Sequence, residues 1–184
     1  MTDNSAKKER LKQIILEKSL KRGSFILASG AHSNYIFDLK PTLLDPEGAS
    51  LAAELFLERL SPDVTAVGGL ELGACPIVSS VCVVSHTQKR PLKTFYVRKA
   101  QKDRGTKKQI EGCDLQKNDI VVIAEDVTTK GGSVIEAIKA VRAEGCSVTK
   151  VFSIIDRLQG AEKNLKKEGV ELESLFTKND FPVD

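Results

Sequence analysis

Glu125 and Asp126 are followed at once by Val127, Thr128, Thr129, Lys130, Gly131, Gly132 and Ser133, so acids, hydroxyls and glycines are concentrated in one short run. Two adjacent carboxylates can accept hydrogen bonds from neighbouring hydroxyls of a ribose. A Gly-rich loop opening a helix can hold a phosphate with backbone N–H groups and Thr hydroxyls, against the positive end of the helix dipole. The pattern therefore suits binding of a sugar phosphate. It is neither G-x-x-x-x-G-K-[ST] nor G-x-G-x-x-G, which excludes a nucleoside triphosphatase loop and a dinucleotide fingerprint. A plain solvated turn would also carry acids and glycines, but it would not require hydroxyls between them.

A second group of residues could act on charge. Arg98, Lys99, Lys102, Arg104, Lys107 and Lys108 lie between Val97 and Ile120 with Gly105 and Gly112 and no apolar periodicity, so the segment reads as a mobile basic loop. An isolated charge run is usually a solvated face. Beside a phosphate loop, it is also what a closing lid needs to neutralise a departing anionic group.

These residues must be positioned by regular elements. Ile120 to Ala124 is a continuous apolar run of the kind found in a strand buried on both faces, which places Glu125 and Asp126 at its carboxyl end. From Val134 the period becomes helical through Ile138 and Val141, with Gly145 as a stop. Upstream, Lys7 to Leu20 reads as a charged helix, Ser24 to Leu27 and Asn34 to Leu39 as short strands, and Asp45-Pro46-Glu47 as a helix start running to about Leu60. Val64 to Val67 reads as a strand, Gly68-Gly69 as a turn, Ala74 to Val84 as a helix and Thr94 to Val97 as a strand. Val148 to Ile155, a helix around Ala161 to Lys167 and a strand near Leu172 to Phe176 complete the chain. This alternation predicts an α/β fold with a doubly wound, mostly parallel sheet.

The chain has 184 residues, 41% hydrophobic and 29% charged, enough for one domain with its own core. A net charge of +3 is too small to argue for nucleic acid. Cys75, Cys82, Cys113 and Cys146 lack C-x-x-C spacing and a His-rich companion, which predicts free thiols in a reducing cytoplasm rather than a zinc site. The polar N-terminus has no apolar segment behind it, and no run approaches membrane-spanning length.

Five segments resemble a known family in the right order. The run V-V-I-A-E-D-V-T-T-K-G-G-S is similar to the phosphoribosyl-pyrophosphate (PRPP) signature of type I phosphoribosyltransferases. Y-V-R-K-A-Q-K-D-R-G-T-K-K-Q-I-E-G resembles the catalytic loop of orotate phosphoribosyltransferases, G-S-F-I-L-A-S-G-A-H-S-N-Y-I-F-D their entry segment, V-G-G-L-E-L-G-A-C-P-I their pyrophosphate turn, and I-I-D-R-L-Q-G-A their base-binding segment. The resemblance covers nearly the whole chain. It implies a type I phosphoribosyltransferase fold as a single domain over residues 1–184, in which about residues 1–40 and the C-terminal residues form a small hood over the base site.

Carried over by position, the resemblance implies that Glu125 and Asp126 hold the ribose hydroxyls and that Val127, Thr128, Thr129, Lys130, Gly131, Gly132 and Ser133 wrap the 5-phosphate. Arg98, Lys99 and Lys102 would reach the pyrophosphate, with Lys102, Arg104 and Asp126 as catalytic residues. Thr129, Arg157 and Phe37 would contact orotate, Arg157 by the fork its guanidinium presents to a carboxylate. The implied reaction is a Mg²⁺-dependent pentosyl transfer in pyrimidine biosynthesis, from PRPP to orotate, with the metal held mostly by substrate and water and no protein metal ligand. The implied assembly is a homodimer whose Arg98 and loop serve the neighbouring subunit's site, with neither nucleic acid nor membrane as partner.

Three positions depart from the family pattern. Arg104 stands where the loop usually has His, which removes a titrating proton donor and keeps a charge. Lys130 replaces a small residue or Thr, and Ala28 replaces a Lys that many members carry. Two other readings fit parts of the pattern: a sister phosphoribosyltransferase using another base, against which Arg157 argues, and a PRPP-sensing regulator, which no helix-turn-helix signal supports.

Overall fold

The computed structural model describes residues 3–26, 32–99 and 109–183. Helix α1 (Asp3–Lys18) leads into strands β1 (Leu20–Ile26) and β2 (His32–Phe37), an antiparallel pair with an irregularity between Arg22 and Phe25. The short helix α2 (Lys40–Leu43) precedes α3 (Pro46–Leu57). Asp45 caps α3 as its sequence dictates, its carboxylate accepting the Gly48 N–H at 3.1 Å with Pro46 in the first turn.

From there strands and helices alternate: β3 (Ala66–Leu70), α4 (Cys75–Thr87), β4 (Lys93–Val97), β5 (Ile110–Gly112), β6 (Ile120–Thr128), α5 (Gly132–Ala143), β7 (Ser147–Asp156), α6 (Ala161–Lys167) and β8 (Glu171–Thr177). Among the described residues these strands form a sheet in the order β5-β4-β3-β6-β7-β8, parallel except for the edge strand β5. The strand order reverses between β3 and β6, and in open α/β sheets ligands bind outside the carboxyl ends of the strands at such a point.

Both faces of the sheet are covered. Leu11 and Ile15 of α1, Leu55 and Phe56 of α3, and Ile77 and Val81 of α4 pack with Val122, Ala124 and Phe152 on one side. Val134, Ile138 and Val141 of α5 and Leu165 of α6 pack with Val121 and Ile123 on the other. Consecutive residues of β6 thus enter opposite cores, the reason its sequence is apolar without alternation.

The fold agrees with the expected α/β class and parallel sheet, and it corrects several local readings. Gly68 and Gly69 are not a turn; both are buried inside β3. A Cβ on Gly68 would lie 2.3 Å from the Phe95 ring, and one on Gly69 would lie 2.3 Å from the Ala124 carbonyl oxygen and 2.4 Å from the Ala74 Cβ. Close packing, not a reversal of the chain, is why glycine stands at both positions. Helix α1 stops at Lys18 and β1 begins at Leu20, earlier than expected. Helix α2 and strand β5, which are four and three residues long, carry no periodic signal. Strand β6 runs on through Thr128, so the acid pair sits within its final residues.

Candidate active site

The acid pair and the phosphate-type loop occupy the carboxyl end of β6, beside the point where strand order reverses. Glu125 is 6% exposed; its carboxylate accepts the Ser133 hydroxyl and the Asp126 N–H, each at 3.2 Å. Burial, reinforced by the Asp126 charge next to it, holds the Glu125 carboxyl well above its ordinary pKa. Asp126 is partly exposed and accepts the Val127 N–H at 2.7 Å. The turn after β3 comes so near that a Cβ on Gly73 would lie 2.7 Å from Asp126 Oδ1. The Glu71–Leu72 peptide bond in that turn is cis.

Gly131 adopts a left-handed conformation (φ 79°) and opens α5, whose N-terminus carries no side-chain cap. The free N–H groups of that first turn suit an anion. The loop is fastened to the next strand and helix through its own carbonyls. Arg157 N–H donates to the Thr128 carbonyl at 2.9 Å, Ala161 N–H to that of Thr129 at 3.1 Å, and the Asn164 side chain to that of Lys130 at 2.9 Å. The Lys130 side chain is exposed, and Gly132 has open space around it.

Arg157 follows β7 and is 5% exposed. Its Nη2 donates to Ser33 Oγ at 3.3 Å, and its guanidinium lies over the Tyr35 ring, 4.8 Å from the centroid. Three buried side-chain atoms, Arg157 Nε, Thr128 Oγ1 and Arg98 Nε, have no hydrogen-bond partner among the described residues. All three belong to residues expected at the site, where a ligand would satisfy them.

The base of the basic loop is also ordered around the turn after β3. Glu71 N–H donates to the Val97 carbonyl at 2.9 Å, and the Glu71 carboxylate accepts the Lys99 N–H at 3.1 Å. Arg98 N–H donates to the Gln109 carbonyl at 2.9 Å, and the Gln109 side chain returns a bond to the Arg98 carbonyl at 3.2 Å. Arg98 pairs with Glu111 at 3.7 Å. Lys102, Arg104 and Ala28 lie outside the described residues.

Phe37 meets Tyr35 and Phe181 edge-on, with ring centroids 5.6 and 5.0 Å away, and so packs between the hairpin and the C-terminal segment. Ser33, Tyr35 and Lys40 also lie near these groups and carry no local chemical pattern of their own. Lys40 is paired with Asp38 at 2.6 Å, and that contact, with a further pull from Asp126, raises its pKa. Ser33 and Tyr35 fall within the entry segment, but no spacing along the chain ties them to Arg157.

No protein-family model matches the chain. An orotate phosphoribosyltransferase of Rhodopseudomonas palustris (strain BisB5) is 43% identical over 183 residues, covering 96% of this chain and 97% of that protein. The chain belongs to the orotate phosphoribosyltransferase family. A family member from Methanocaldococcus jannaschii is 46% identical over 172 residues, covering 93% of this chain and 94% of its own. The orotate phosphoribosyltransferase of Mycobacterium tuberculosis H37Rv in complex with PRPP superimposes with a TM-score of 0.77 at 27% identity, over 95% of this chain and 91% of that one. The doubly wound sheet described above is therefore the orotate phosphoribosyltransferase fold, and the acid pair, the Gly131 loop and Arg157 occupy the carboxyl edge of its strands.

Proposed function

We propose that the chain transfers the 5-phosphoribosyl group of PRPP to orotate, giving orotidine 5'-phosphate and pyrophosphate, a step of pyrimidine synthesis. The observation that carries this reading is Arg157. It is a buried guanidinium with an unpartnered Nε, joined through its backbone to the phosphate-type loop, and it suits a carboxylate-bearing base presented to a bound ribose phosphate.

In this reading the helix α5 N-terminus and residues 128–133 take the 5-phosphate, while Glu125 and Asp126 accept the ribose hydroxyls. The turn at Glu71 to Gly73 faces the pyrophosphate, and the positive charge of the basic loop, from Arg98, Lys99, Lys102 and Arg104, neutralises it. As the bond from C1 to the pyrophosphate oxygen breaks, its electron pair leaves with the pyrophosphate. Positive charge builds on the ribose ring beside the carboxylates, the lone pair of orotate N1 forms the new bond, and the N1 proton is released to solvent. Preorganised charge of both signs around the breaking bond is the main catalytic resource of such a site.

Mg²⁺, when bound, supplies charge neutralisation on the pyrophosphate. Glu125 and Asp126 offer hard carboxylate oxygens that fit it through water and substrate oxygens. Among the described residues no cluster of three or more His, Cys, Asp or Glu could hold a metal by protein ligands alone. We further propose a homodimer in which the basic loop serves the partner's site, and a cytoplasmic setting, with which four free cysteines agree. The deciding experiment follows orotate absorbance with PRPP and Mg²⁺, beside adenine, uracil and xanthine. Consumption of orotate alone is expected, and turnover of another base in its place would overturn the reading.

A further inference from the structure

Arg157 is a buried cation without a carboxylate within ion-pair distance among the described residues. A buried charge ordinarily demands a partner. What it has instead comes from β2, 124 residues away in sequence: the Ser33 hydroxyl on Nη2 and the face of Tyr35. An aromatic face attracts a guanidinium through its quadrupole and uses none of the N–H donors. An Asp or Glu in the same place would occupy the fork that must grip a ligand.

We propose that Tyr35 is a positioning residue for orotate binding: its ring holds the Arg157 guanidinium plane and partly offsets its charge, leaving Nε and the N–H groups not given to Ser33 free for the base carboxylate. The proposal rests on the reading of Arg157 as the carboxylate grip.

The ring is itself braced through an aromatic neighbour. Tyr35 meets Phe37, Phe37 meets Phe181, and Phe181 meets Phe176 at 5.5 Å. Phe176 lies in β8 opposite Ile155 of β7, two residues before Arg157. The contacts therefore close a circuit from Arg157 through the hairpin and the C-terminal segment back to its own strand. A residue that merely filled space would need no such bracing of its plane.

Steady-state kinetics with orotate and PRPP test this on Tyr35→Phe, Tyr35→Leu, Arg157→Ala and the Leu/Ala double variant. Tyr35→Leu should raise orotate KM about tenfold and leave PRPP KM within about twofold, and Tyr35→Phe should restore orotate KM. In the Arg157→Ala background, Tyr35→Leu should add less than about twofold. A Leu substitution that multiplies fully onto Arg157→Ala, or that damages both substrates equally, overturns the proposal. Should the Leu variant fail to fold, progressively fluorinated phenylalanines at position 35 keep size while draining the ring face. Orotate KM climbing with fluorination supports the proposal, and a flat series overturns it. An Arg157→Ala protein with unchanged orotate KM would instead remove the base-site reading itself, whatever Tyr35 does.

Discussion

The Arg157 backbone N–H donates to the Thr128 carbonyl at 2.9 Å, so the residue that follows β7 and the last residue of β6 are hydrogen-bonded neighbours. The side chains of both carry a buried, unpartnered polar atom. One parallel strand pairing thus sets the distance between the proposed base site and the proposed sugar-phosphate site.

Asp126 lies at the edge of the core rather than in it. Asp126→Asn should therefore melt within a few degrees of the parent while losing about 1.5–3 kcal/mol of transition-state stabilisation, the cost of a charge-assisted hydrogen bond. Near-parental kcat/KM in the variant would show that the carboxylate does not hold the ribose.

Arg157→Lys keeps the charge and loses the fork. Orotate KM should rise by at least about tenfold, with PRPP KM changed much less. Initial rates with each substrate varied in turn measure the split, and equal damage to both would count against a base-side role.

Gly73→Ala would place a methyl group 2.7 Å from Asp126 Oδ1. The carboxylate can shift, so stability should change little while PRPP KM rises and kcat falls. Gly69→Ala meets the Ala124 carbonyl oxygen at 2.3 Å, which is backbone and cannot yield. That variant should be destabilised by about 1–3 kcal/mol, as overpacked cores are. Thermal melts beside kinetics separate the two outcomes.

Glu125 binds its proton more tightly in the folded state than at its ordinary value of 4.5, because of burial and then the Asp126 charge. Its contribution to stability is thus complete below the ordinary value and is lost as pH rises through the folded one. Glu125→Gln should match the parent in acid and become the more stable protein as pH rises. Denaturant unfolding from about pH 4 to about pH 9 reads the difference.

If the basic loop acts in the partner's site, a Lys102→Ala protein re-dimerised with an Asp126→Asn protein should regain about half the parental activity, because one site of each heterodimer carries neither change. Subunit exchange verified by a tagged pull-down, without recovery of activity, would place the loop over its own subunit.

Residues acting as neighbours along the chain were legible in the sequence: Glu125 with Asp126, the glycines opening α5, and the Asp45 cap. Their signals are local, since strand, loop and helix chemistry all fall within one short run. Gly68 and Gly69 misled for the same reason, because a glycine pair looks like a turn until the Phe95 ring and the Ala124 carbonyl are placed against it. Tyr35 and Arg157 meet only after the hairpin folds over the sheet, and no spacing records that contact. Strand β5 is held by its pairing with β4 and has too few residues for a period of its own.

Strand β3 lies between β4 and β6, so the turn at Glu71, the base of the basic loop at Arg98 and the acids at the end of β6 converge only once both of its parallel pairings exist. Parallel pairings close long stretches of chain and are slow to form compared with helices. During refolding from denaturant, helical signal should therefore return before turnover does, which makes the enzyme's own activity a clock for the last stage of its assembly.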